Sequence, residues 1–157
     1  MNPTRAARWV ALGAVIAVAP GLGSAGPAGA AQSVHIVAET SFSSPVAPFE
    51  SDLGGCSDGT VENGRFTAPE TAGLGTFSGL KEFTCGEVVD GVVTDPVGGF
   101  TVQLTAHFPL GPGSLGKWSV VSSWGSVDGL RASGSLVGVG SDNGILDIYD
   151  GTIRAGR

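Results

Sequence analysis

Between Gly99 and Gly138 the chain carries the pattern that most restricts its fold. Phe100, Val102, Leu104, Ala106 and Phe108 alternate with Thr101, Gln103, Thr105 and His107. A period of two belongs to a strand with one buried face. A turn rich in Gly and Pro follows, then Trp118-Ser119-Val120-Val121, then Gly129 to Leu136. Glycine supplies 27 of the 157 residues and recurs throughout the chain after residue 50. Each glycine inside a helix costs about 1 kcal/mol relative to alanine, so no helix is expected beyond the first thirty or so residues. Short strands divided by glycine-rich turns suit an antiparallel barrel or sandwich.

The pattern predicts strands at 33–41, 60–61, 65–67, 75–85, 99–108, 117–122, 130–138 and 145–153. Phe42 to Gly59 reads as a long connection, with Pro45 and Pro48 interrupting any ladder. Asn63-Gly64 is a type I′ hairpin signal and places a turn at Glu62 to Gly64. Glu87 to Gly98 reads as a second loop, containing Asp90-Gly91 and Asp95-Pro96. The expected fold class is all-β: a closed antiparallel barrel of about eight strands, whose interior is filled or holds one small ligand. An open sandwich is the alternative.

The N-terminus is expected to be a leader. Arg5 and Arg8 precede an apolar run from Trp9 to Pro20, and Ala28-Gly29-Ala30 forms a small-residue cleavage site. The run is shorter than the ~20 residues that span a bilayer. Residues 1–31 are therefore read as a cleaved signal peptide, and 32–157 as one exported barrel domain. Without Arg5 and Arg8, six basic residues face fourteen acids, a net charge of −8. That balance disfavours nucleic acid and anionic lipid as partners, since both need clustered Lys and Arg. No stable membrane insertion is expected after cleavage. Export implies an oxidising compartment, so Cys56 and Cys85 are expected to form a disulfide. It would close a loop of about 30 residues and stabilise by about 3–4 kcal/mol.

The residues that could carry chemistry are few. His35 and His107 are the only histidines, and both read as surface imidazoles on strands. No serine lies in a G-x-S-x-G elbow, so no catalytic residue is assigned. Asp142-Asn143-Gly144 and Ser57-Asp58-Gly59 fit turns and do not continue into a calcium loop. No metal site and no cofactor is expected. Glu82 and Asp147 lie inside predicted strands, where a carboxylate facing a lumen would be desolvated and could serve as acid or base. With Leu146 and Ile148 taken as the buried parity, Asp147, Glu82 and Lys81 are expected to point outward. Trp118 is expected in the core beside Val120. Trp124 is placed in a turn, where an exposed indole could bind a ligand or fold back as a lid. Trp118, Trp124, Tyr149 and Glu82 are the candidate ligand-binding residues.

Four segments carry a family likeness: Gly79-Leu80-Lys81-Glu82-Phe83-Thr84-Cys85, Gly99 to Leu104, Trp118 to Ser122, and Gly129 to Leu136. On these the chain resembles small secreted actinobacterial proteins of the allene-oxide-cyclase-like barrel type, related in shape to plant dirigent proteins. The resemblance covers about Cys56 to Ile153. Where that group has a Gly-Thr-Gly turn and an Arg-Gly strand, this chain has Ser123-Trp124-Gly125 and Arg131-Ala132. No catalytic position of the family matches, and none is transferred. Three readings stay open: a non-catalytic barrel binding a small apolar ligand or an extracellular partner, an isomerase or cyclase as the resemblance implies, and a structural or cell-envelope interaction protein.

Overall fold

Alternating side chains and glycine turns produce a closed antiparallel barrel of eight strands. The computed structural model describes residues 31–41, 44–67, 74–109, 114–142 and 144–154. Residues 1–30 of the expected leader lie outside the described residues, as does Asn143. The barrel strands are β1 (Gln32–Ser41), β2 (Val46–Ser51), β3 (Asp58–Thr67), β4 (Leu74–Cys85), β7 (Gly98–Pro109), β8 (Ser114–Gly125), β9 (Ala132–Ser141) and β10 (Gly144–Ile153). Around the barrel they follow the order β1-β10-β9-β8-β7-β4-β3-β2, and a small hairpin, β5 (Val88–Val89) and β6 (Val92–Val93), forms a separate two-stranded sheet beside β3.

Eight barrel strands match the expected number, but several assignments change. Asn63-Gly64 does not turn the chain. β3 runs straight through it, and Gly64 and Arg65 oppose Leu80 alone, between the pairs Asn63–Lys81 and Phe66–Gly79. This is a bulge, two residues against one. The extra residue resets the alternation, so Asn63 and Phe66 both reach the lumen. The type I′ geometry belongs instead to Asp90 (φ 53°) and Gly91 (φ 79°), which close the β5–β6 hairpin through the pairs Val88–Val93 and Val89–Val92.

A further change is β2, expected to be connection. Pro48 sits inside it opposite Thr60. β2 meets β1 only where Phe49, Glu50 and Ser51 face Ala38, Val37 and Ile36. Pro48 lies just beyond that seam, where a strand behaves as an edge and tolerates a missing N–H.

The lower part of the lumen is packed with rings. Phe83 and Phe100 stack at 4.7 Å between centroids. Phe49 meets them edge-on at 5.1 and 6.4 Å. Tyr149 meets Phe83 and Trp118 edge-on at 5.7 and 5.9 Å. Such pairs add about 0.5–1.5 kcal/mol each beyond area burial. Val34, Ile36, Val61, Val102 and Leu136 fill in around them. The Cys56–Cys85 disulfide, with Cα atoms 5.1 Å apart, ties the 52–57 loop to the end of β4.

Candidate functional site in the barrel lumen

Above the rings the lumen is not filled. A cavity of about 310 Å³ lies at the end formed by the C-terminal halves of β1, β3, β7 and β9 and the N-terminal halves of their partners. Its apolar wall includes Phe66, Phe77, Leu104, Ala106, Leu136 and Ile145. Phe66 and Phe77 stack at 4.8 Å. Phe66 can lie flat because its neighbour across the ladder is Gly79; a Cβ there would sit 1.9 Å from the ring.

Polar atoms converge on one spot in this wall. β4 and β10 stand on opposite sides of the eight-membered ring of strands. Lys81 from β4 and Asp147 from β10 span the lumen and form a buried ion pair. Thr40 of β1 joins them: Lys81 Nζ donates to Thr40 Oγ1 at 2.6 Å, and Thr40 Oγ1 donates to Asp147 Oδ2 at 3.1 Å. Both of these hydrogen bonds fall on Asp147 Oδ2, and among the described residues none reaches Oδ1. Asn63 and Ser114 complete the polar lining.

This corrects the expected orientation of two side chains. Lys81 is 4% exposed and Asp147 8%; both point inward, and Glu82 alone of the three faces solvent. Alternation does not fix the parity here because β10 is apolar on both faces. Leu146 and Ile148 are half-buried on its outside, while Asp147 shares the inner side with Tyr149. Each inward charge is tolerable because the other lies across the barrel, a relation no local pattern displays.

The four candidate ligand-binding residues fall in different places. Trp118 is in the core, as its strand pattern requires, and its indole N–H donates to the Ser135 carbonyl at 2.9 Å. Tyr149 lies in the same ring cluster and is fully buried. Burial, and next the Asp147 carboxylate, push its phenol well above the ordinary 10.0. Its Oη has no hydrogen-bond partner among the described residues. Glu82 is on the outer surface, opposite Glu62 and Thr101 of the neighbouring strands. Trp124 is in β8 rather than in a turn. It is 49% exposed on the outside of the barrel, with its indole over Gly99. The interior of the barrel therefore holds Trp118 and Tyr149 together with Lys81 and Asp147, and leaves Glu82 and Trp124 outside. His35 and His107 are exposed, bonded to Asp150 at 2.6 Å and Thr76 at 3.0 Å.

Fold and lumen define the class of molecule: a small, closed, eight-stranded antiparallel β-barrel with a buried aromatic cluster and one disulfide. The chain matches no family model, no curated protein and no solved structure. No helix among the described residues is long and apolar enough to cross a membrane. The disulfide points to an oxidising, extracellular-type compartment.

Proposed function

We propose that this is an exported binding barrel that holds one small, mainly apolar molecule in the upper lumen. The carrying observation is the cavity of about 310 Å³, whose apolar wall is interrupted by the Lys81–Asp147–Thr40 cluster and by Asn63 and Ser114. Ligand sites start at about 300 Å³ and combine apolar walls with a few convergent polar groups. A buried ion pair is a poor source of stability, because desolvation offsets its attraction. Its place beside an unfilled space supports a role in orienting a guest. Secretion rests on the leader-like N-terminus and the disulfide.

The test is a binding screen with small apolar compounds, read as a rise in melting temperature, on the wild type and on Ala106→Phe. Ala106 lines the cavity, so the ring occupies space that is empty in the wild type. Binders that raise the melting temperature of the wild type and not of Ala106→Phe support the reading. Equal binding to both proteins places the ligand elsewhere and overturns it.

A second reading, an isomerase or cyclase, draws on the family resemblance and on the inward Asp147, a carboxylate inside the lumen of the kind that reading requires. Turnover of a bound compound, lost in Asp147→Asn with binding retained, distinguishes it from simple carriage.

A further inference from the structure

The polar cluster limits the charge of the guest. Lys81 and Asp147 neutralise each other, so the lumen carries no net charge from this pair. An ammonium has three donors; Lys81 Nζ uses two, on Thr40 Oγ1 and Asp147 Oδ2. Among the described residues, one donor of Lys81 and the Oδ1 of Asp147 thus remain for a guest. A hydroxyl group matches both at once: its oxygen accepts from Lys81 and its proton goes to Asp147. A carbonyl oxygen accepts from Lys81 alone. A carboxylate would also accept from Lys81, but it would place a second negative charge beside Asp147. An ammonium would meet Lys81 in the same way. To welcome either ion the pair must separate and leave a buried charge without its partner, a severe cost in an apolar interior.

From this we infer that the lumen selects a compact uncharged lipophile carrying one hydroxyl or carbonyl oxygen, held by Lys81 and Asp147, and rejects acids and amines of the same shape. The inference rests on the binding reading above and names its ligand class. The cavity of about 310 Å³ suits about ten to fifteen non-hydrogen atoms, given ~30 Å³ for a water's share of the liquid. Cage hydrocarbons have this bulk and bury almost all of their surface in such a space.

The test uses one carbon cage with different head groups. 1-Adamantanol, 2-adamantanone, 1-adamantanecarboxylic acid and 1-adamantylamine are titrated at pH 7 against the full chain, with adamantanol repeated on Ala106→Phe. The alcohol is expected to bind at least tenfold more tightly than the acid and the amine, and to lose that binding in Ala106→Phe. In Lys81→Met/Asp147→Leu, which removes both charges together, the preference for alcohol over acid should shrink at least tenfold. If acid or amine binds as tightly as the alcohol, and Ala106→Phe blocks it, the lumen reading stands and the neutral-guest inference is overturned. If the alcohol binds Ala106→Phe as well as the wild type, or no member of the series binds, the lumen reading itself is overturned.

Discussion

Tyr149 is the only tyrosine in the chain, and its buried phenol reports on the lower lumen without interference. Its folded pKa is raised well above the ordinary 10.0 by burial and by Asp147. The sign of the linkage follows. Below pH 10 both folded and unfolded chains hold the proton, and Tyr149 adds no pH dependence. Above it the unfolded chain ionises first, so stability falls by up to about 1.4 kcal/mol per pH unit from this group. Phenolate absorbance should therefore stay low above pH 10 until the protein unfolds. Tyr149→Phe should flatten the alkaline fall in stability. At pH 7 the same variant should be about 1 kcal/mol more stable, because it removes a buried hydroxyl that has no partner among the described residues. A clear loss of stability would mean that the hydroxyl is satisfied after all. The ion pair gives a contrasting pattern. Asp147→Ala strands the Lys81 charge and should cost about 3–5 kcal/mol, while Lys81→Met/Asp147→Leu should recover most of that. Urea denaturation of the two variants decides the point; equal losses in both would show that the lysine, not its pairing, had been misjudged.

At the scale of strands, the cavity depends on features that alter an otherwise regular ladder. The bulge at Gly64 and Arg65 turns both Asn63 and Phe66 inward, and Gly79 leaves room for the Phe66 ring. Gly79→Ala should displace that ring towards the cavity, lower stability by about 1–3 kcal/mol as overpacking does, and weaken ligand binding. A variant with unchanged stability and binding would mean that the ring relaxes freely. Strand positions in β4, β7, β9 and β10 were readable from the sequence because alternation and glycine turns act locally. β2 was hidden by its prolines. A proline forbids a ladder bond only on the side where one is needed, and β2 has parted from β1 at Pro48. Asn63-Gly64 misled for the opposite reason: both dipeptides favour positive φ, but only Asp90-Gly91 has two short strands that pair across it. Lys81 and Asp147 were legible as titratable residues in strands. Their direction depended on each other across the lumen, 66 residues apart in the chain.

The whole molecule divides its interior into a packed half and an open half. The packed half holds the Phe49, Phe83, Phe100, Trp118 and Tyr149 rings and ends near the disulfide. Reducing that bond should cost about 3–4 kcal/mol on the chain-entropy account, visible as a lower midpoint in urea. The open half is walled by Phe66, Phe77 and Ala106 over the Lys81–Asp147 pair. Trp124, on the outside of the barrel, has no part in it. The most direct test of this division is NMR shift mapping of the isotope-labelled protein with 1-adamantanol. Shifts should concentrate at Thr40, Phe77, Ala106 and Ile145 and leave Trp124 unmoved. Shifts centred on Trp124, with the lumen residues silent, would contradict a binding site inside the barrel.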